Sequence, residues 1–428
     1  MSSTGSTLQI ETIPRVGYRL SLDETGAADA GQGQAAASHP SRRRMLAIAA
    51  GAATVAALGG WAIVARQRQD RVQSLIERGQ ALTERATVDP DARGAALYRE
   101  ALALDPQRAD AWGLLALAEL RLTQTASPAD RAATMRQATA TAERALALDP
   151  REPNGRTTLA VLRRGLDDWP TLERELVAIL QAAPDTFGCL GFLTYFLQGV
   201  GRCRESWDYN ERALRLQPLA PECQFKKALK YWIFGRPADA DRVSKRAFEL
   251  WPKHGSTWNA RITVLAFTGR ADAALDMLHD EHTRPNLGPG AIALWRTGLQ
   301  ALQSGAPADL AAIRQAAFDT TARVPGAVAP SVMLLSALGD VDSAYRVAEA
   351  VLLRRGPLLD RPQRAAAGTG IYANAGWLGT QWLFTPATAP MRDDPRFTEF
   401  CEALGYADYY RTRGIWPDAF VRGSLVGG

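Results

Sequence analysis

The sequence predicts an all-α protein, a solenoid of about eight helical hairpins, preceded by one transmembrane helix and a short N-terminal β-hairpin. Two rulers carry the solenoid. Pro150, Pro184, Pro218 and Pro252 stand 34 residues apart. Gly201, Gly235 and Gly269, each followed by Arg, repeat at the same 34-residue interval, and Gly305 and Gly339 extend the series at steps of 36 and 34. The third observation is Met45 to Ala65, MLAIAAGAATVAALGGWAIVA, 21 residues without a charge.

Residues 1–22 come first. Ile10, Thr12 and Ile13 with Gly17, Tyr18 and Arg19 read as two short strands around a turn, a unit only marginally stable alone. The string from Ile10 to Leu20, IETIPRVGYRL, resembles the last hairpin of the OmpR/PhoB-type winged-helix DNA-binding domain. In that family the recognition helix precedes this hairpin, whereas here only Met1 to Thr7 do, so the chain as numbered carries no major-groove reader. DNA is then a partner only with further residues upstream, and otherwise the hairpin is a remnant that has lost DNA binding. Residues 23–41, rich in Gly, Ala and Ser, read as a flexible linker.

Residues 42–66 hold the span. At 1.5 Å per residue, Met45 to Ala65 covers ~31 Å, the thickness of a hydrocarbon core. Arg42, Arg43 and Arg44 before it nearly balance Arg66, Arg68 and Arg71 after it, so charge does not orient it. Ser41-Arg42-Arg43-Arg44-Met45-Leu46 also resembles a twin-arginine export signal, but the long apolar stretch and the lack of a clean cleavage site favour an uncleaved anchor. A buried soluble helix is the alternative.

The solenoid occupies 67–356, with helix pairs expected at 70–104, 107–148, 152–182, 185–216, 219–250, 253–281, 288–319 and 326–354. One hairpin cannot bury its apolar face alone, so neighbours stack and share a continuous core. Each Gly marks the turn inside a pair and each Pro stops the second helix, because it cannot donate the next hydrogen bond. Five residues before the prolines lie Ala145, Ile179, Ala213 and Ala247, and four before lie Leu146, Leu180, Leu214 and Phe248. Period and positions together resemble the tetratricopeptide repeat family, which implies a right-handed superhelix. Trp112 and Trp258 stand where that family favours Trp, but Arg156, Leu190 and Gln224 do not match. The step from Pro106 to Pro150 is 44, an insertion of ten residues around Thr123 to Asp130.

Residues 357–428 read as a capping segment, in which Phe397, Phe400, Leu404, Tyr409 and Trp416 supply an apolar face to close the open end of the array. Leu383 to Phe397, then Leu404-Gly405-Tyr406 and Tyr409 to Asp418, are similar to the closing segment of bacterial membrane-bound winged-helix proteins of the ToxR/CadC-like kind. The joint resemblance implies a signal-input role in transcription.

Formal charge is +5 and the pI about 9.1, spread over many helices, so no nucleic-acid-binding tail is indicated. Cys189, Cys203, Cys223 and Cys401 form no CxxC and have no companion His at metal spacing; free buried thiols are expected. His279 and His282 sit at i and i+3 near Asp276 and Asp280 but lack a third ligand. Asp167-Asp168 and Asp393-Asp394 fall in expected turns, where Asp serves as a cap. No nucleophile elbow, HExxH, P-loop or dinucleotide fingerprint occurs. The expectation is a non-enzyme with no catalytic residue, cofactor or metal.

The resemblance to tetratricopeptide repeats implies that the first helix of each hairpin lines a groove. That gives Phe192, Tyr195, Phe225, Lys226, Leu229, Trp232, Asn259, Thr263 and Phe267, which either anchor a protein or peptide or pack against the next hairpin. A basic excess, Lys226, Lys227, Lys230, Arg236, Arg242, Lys245, Arg246 and Lys253, favours an acidic partner unless it is a set of solvated faces. The expected protein is therefore a single-pass bacterial inner-membrane protein, N-terminus cytoplasmic and solenoid periplasmic. It binds a protein or peptide as the input part of a one-component transcriptional regulator; an envelope assembly scaffold with no DNA role is the rival.

Overall fold

The computed structural model describes residues 8–13, 17–22, 63–82, 89–163, 168–358, 370–373 and 378–425, and for the first two ranges the backbone alone. The chain divides into two units, Met1–Val64 and Ala65–Gly428.

In the first unit, β1 (Leu8–Ile13) pairs antiparallel with β2 (Gly17–Leu22), Leu8 facing Leu22 and Ile13 facing Gly17. The linker 23–41 and the expected span up to residue 62 lie outside the described residues. Among the described residues no helix is long and apolar enough to cross a membrane.

Among the described residues, helices from 63 onward pair into eight hairpins: α1 (63–82) with α2 (Pro90–Leu104), α3 (Ala109–Thr125) with α4 (Pro128–Leu148), α5 (Pro153–Leu162) with α6 (Trp169–Ala182), α7 (Phe187–Gly199) with α8 (Cys203–Leu216), α9 (Pro221–Ile233) with α10 (Pro237–Leu250), α11 (Gly255–Phe267) with α12 (Ala271–His279), α13 (Pro289–Ser304) with α14 (Pro307–Arg323), and α15 (Val328–Ala337) with α16 (Val341–Ala348). The ten extra residues before Pro150 lengthen α3 and α4 to 17 and 21 residues. Ser127 caps α4 by accepting from the Asp130 amide.

The turn inside a pair recurs with one geometry. The amides of Arg202, Arg236, Arg270 and Asp340 each donate back across the turn to the carbonyls of Leu197, Tyr231, Leu265 and Leu335, at 2.8, 2.8, 3.0 and 2.9 Å. This six-to-one bond needs a left-handed residue just before the donor. Gly235 (φ 70°) and Gly269 (φ 79°) supply it, and a Cβ there would meet nothing within 4 Å, so the backbone angle alone selects glycine. The second helices end two residues before Pro106, Pro150, Pro184, Pro218 and Pro252. Their caps Asp105, Asp149, Ala183, Gln217 and Trp251 have ψ between 67° and 105°, away from the α region, as a following proline demands. Five places before four of these prolines stand Ala101, Ala145, Ala213 and Ala247, all at most 2% exposed, which let helices approach closely; before Pro184 the place is taken by Ile179.

Beyond α16 the chain forms a five-residue π-helical turn, Glu349–Leu353, and then an arm. The described residues of the arm include the 3-10 turns Ile371–Ala373, Gln381–Phe384 and Pro386–Thr388, then α17 (Ala389–Asp393), α18 (Arg396–Ala403) and α19 (Tyr406–Arg413), and a last 3-10 turn, Ala419–Val421. It does more than close the end of the array. It runs back along the first helices as far as the third hairpin, where the Trp169 indole donates to the Leu404 carbonyl at 2.8 Å. Its Phe384, Phe397, Phe400, Tyr406, Tyr409 and Tyr410 join one core with residues of the third to eighth hairpins.

Candidate functional site

Two surfaces compete for the role of binding face: the stretch of first helices that the arm covers, and the stretch that it leaves open.

The covered stretch contains the nine groove residues expected from the sequence. They lie on α7, α9 and α11, and none of them is fully exposed. Phe225, Lys226, Trp232, Asn259 and Thr263 are buried, and Phe192, Tyr195, Leu229 and Phe267 are half-buried. Trp232 stacks on Phe267, centroids 5.7 Å apart at 17°. Phe225 packs with Ala228 and Ala260, flanked by Tyr195 and Leu229. The Lys226 ammonium lies 4.3 Å from the centre of the Tyr195 ring and donates to the Gly191 carbonyl at 3.3 Å; burial holds its pKa below the usual lysine value. The arm completes the covering. The Tyr372 hydroxyl donates to Asn259 Oδ1 at 2.6 Å and accepts from the Trp295 indole at 2.9 Å, and the Gln381 amide donates to the Tyr195 carbonyl at 3.3 Å.

A buried ionic knot ties the arm down. Glu173, on α6, accepts from Arg202 Nη1, from the Tyr409 hydroxyl at 3.1 Å and from Arg413 Nε at 2.8 Å. Arg202 also binds Glu205, at i+3. Around the turn between α7 and α8, three consecutive carbonyls accept from the arm: Gly199 from Thr380 Oγ1 (3.1 Å), Val200 from the Tyr410 hydroxyl (2.9 Å) and Gly201 from the Asp418 amide (3.0 Å).

The uncovered stretch lies toward the N-terminal hairpins. A cavity of about 540 Å³ opens there, lined by Tyr98 of α2, Leu114, Leu117 and Arg121 of α3, Phe187 of α7 and the Pro184–Thr186 turn. Arg121 Nη1 pairs with Asp91 Oδ1 at 3.4 Å. Burial pushes the Asp91 carboxyl up, Arg121 opposes that, and Glu222 of α9 adds to it. His254 Nε2 stands 3.9 Å from Glu222 Oε1. Sequence reasoning missed this set. The available signal was Arg121, a cation that follows Glu119 and Leu120 after the apolar run from Ala111 to Ala118.

Elsewhere the polar candidates serve turns. Asp280 accepts from the His282 amide and the Thr283 hydroxyl, Asp168 from the Thr171 amide, and Asp394 from Arg396. Asp167 lies outside the described residues. Among the described residues no three His, Cys, Asp or Glu side chains gather as a metal site, and all four cysteines are buried and free.

No family model matches the sequence, and no curated protein does. Similar solved structures include a tetratricopeptide repeat protein from Parabacteroides merdae, 11% identical, covering 59% of this chain and 92% of its own, with a TM-score of 0.37. Yeast Tom70 is 13% identical, with 68% and 62% covered and a TM-score of 0.37. Pseudomonas aeruginosa PilF is 16% identical, with 50% and 90% covered and a TM-score of 0.33. Values this low leave the repeat assignment to the recurring turns and the 34-residue period themselves.

Proposed function

We propose that this chain is a non-enzymatic polypeptide-binding module whose open site is the cavity between α2, α3 and α7. One observation supports it above the others: the array already holds a polypeptide, the chain's own arm, through carbonyl acceptors and aromatic contacts. The cavity at the N-terminal hairpins has apolar walls and one ion pair, and no arm residue is among its described lining. On the sequence features of residues 1–66 the reading extends further. The module is anchored in a bacterial inner membrane with the array on the periplasmic side, and it supplies the input to a membrane-bound transcriptional regulator.

Photo-crosslinking tests the site. A benzoylphenylalanine in place of Leu114 in the full chain is expected to capture a polypeptide, and Arg121→Glu is expected to abolish the product while the circular dichroism spectrum stays unchanged. A crosslink that survives Arg121→Glu sinks the assignment to this cavity. Alkaline phosphatase fused after Gly428 is expected to be active; an inactive fusion reverses the orientation. Stoichiometric co-purification with envelope machinery decides for the scaffold over the regulator.

A further inference from the structure

A second surface is built at the edge of the array, outside the inner face. The cleft there encloses about 880 Å³ between the start of α8 (Arg204, Trp207, Asp208), the end of α9 (Phe234, Arg236) and Phe420 of the arm. Its walls are aromatic and interlocked. Trp207 meets Tyr231 and Phe234 edge-on at 4.9 and 5.7 Å, and Phe234 meets Phe420 at 5.8 Å. Phe420 is 42% exposed, one of the few large apolar side chains so presented. An exposed aromatic cluster flanked by arginines has the composition of a protein-binding hot spot.

The cations indicate what the cleft takes. Lys227 lies over Trp207, Arg236 over Tyr231 and Arg204 over Phe420, at 5.5, 4.6 and 5.3 Å from the ring centres. The ring faces therefore already carry the protein's own positive charges, which excludes a cationic ligand. Lys227 is paired with Glu211 and Arg236 with Asp239. Arg204 forms no ion pair among the described residues; its guanidinium rests on Phe420 at the mouth of the cleft, with Asp208 as the only carboxylate in the lining. The Phe420 wall is held by the Asp418 carboxylate, which accepts from the Arg204 amide at 2.9 Å, and by the Asp418 amide on the Gly201 carbonyl.

We propose that this cleft docks an acidic peptide segment bearing one apolar side chain, the carboxylates meeting Arg204 and Arg236 and the apolar group entering between Trp207, Phe234 and Phe420. The site is independent of the inner-face cavity. It exists only while the arm is seated, because one wall arrives with residues 418–420.

The test uses the full chain and a fluorescein-labelled peptide, Glu-Glu-Leu-Phe-Glu-Glu, read by fluorescence anisotropy. Saturable binding is expected, weakening at least tenfold in Arg204→Glu and in Phe420→Ala and falling with added salt. Arg121→Glu is expected to leave it unchanged, which separates this site from the inner-face cavity. Phe420→Ala and Arg204→Glu change exposed side chains and keep the Asp418 contacts to backbone, so a native circular dichroism spectrum is expected for both. Equal binding of Lys-Lys-Leu-Phe-Lys-Lys, no saturable binding, or binding indifferent to Arg204→Glu overturns the proposal. So does a concentration-dependent dimer in sedimentation that Phe420→Ala abolishes, since the cleft is then an interface between copies.

Discussion

Glu173 joins the arm to the array through a buried ion pair, and its replacement has a calculable effect. Its side chain is 3% exposed and accepts from Arg202, Tyr409 and Arg413, while the Arg202 side chain is 5% exposed. Removing one partner of a buried pair strands the other charge, at a cost of ~3–5 kcal/mol. Glu205 stays with Arg202 and softens the loss, so Glu173→Leu is expected near the lower bound, about 3 kcal/mol, and Tyr409→Phe, which removes one hydrogen bond, near ~1 kcal/mol. Urea unfolding gives the stability and hydrogen exchange of the amides in 404–421 gives the location, since repeat arrays need not unfold in one step. A cycle with Arg202→Leu identifies the cause: if a stranded charge dominates, the double replacement costs less than Glu173→Leu alone. Unchanged exchange in 404–421, or a double mutant as unstable as the sum of the singles, refutes the ionic knot as the anchor.

Two further outcomes follow from burial. Trp232→Ala removes a side chain that is 4% exposed and stacked on Phe267, so a loss of ~3–5 kcal/mol is expected in urea unfolding; unchanged stability would return Trp232 to a ligand-binding role. Lys230 is fully buried with no hydrogen-bond partner for its amine, and burial, aided by the neighbouring Lys226, pulls its pKa from 10.5 down to about 7. The unfolded chain therefore holds one more proton between about 7 and 10.5, so native stability rises with pH across that window and the penalty is complete below it. Lys230→Met is expected to stabilise the protein by ~2–4 kcal/mol at pH 7, the gain shrinking toward pH 10.5. A gain that is absent at pH 7, or constant between pH 7 and 10, contradicts a stranded amine.

The parts of the fold that could be read from the chain are those fixed locally. A glycine that must adopt positive φ and a proline that must follow an extended residue repeat wherever the backbone repeats, so Gly235 and Pro218 mark their turns without reference to any neighbour. The longer α3 and α4 announce themselves as a 44-residue step. The arm's path left no such mark. Tyr409 is 236 residues from Glu173 and Thr380 is 181 from Gly199, and an apolar arm seated over the array has the same composition as one capping its end. The nine groove residues show the same limit from the other side. Their spacing places them on the first helices α7, α9 and α11, but whether Asn259 meets a ligand or Tyr372 depends on a segment 113 residues away.

Whether the arm is a lid or a permanent layer follows from what it buries. Phe384 packs beside Gly201, Phe400 against Tyr345, Tyr406 against Trp169, Tyr409 against Phe196, and Tyr410 bonds to Val200, and all five arm residues are at most 1% exposed. At ~1.5–3 kcal/mol for each large side chain removed from water, they hold the arm with about 8–15 kcal/mol before any hydrogen bond is counted. A partner displacing it would need that much beyond its own docking energy, whereas a nanomolar complex supplies only about 12 kcal/mol in total. The arm is therefore better treated as a layer of the fold than as a competitor for its groove. It follows that partners meet what the arm leaves exposed: the cavity beside Arg121, and the edge cleft that Phe420 helps to build.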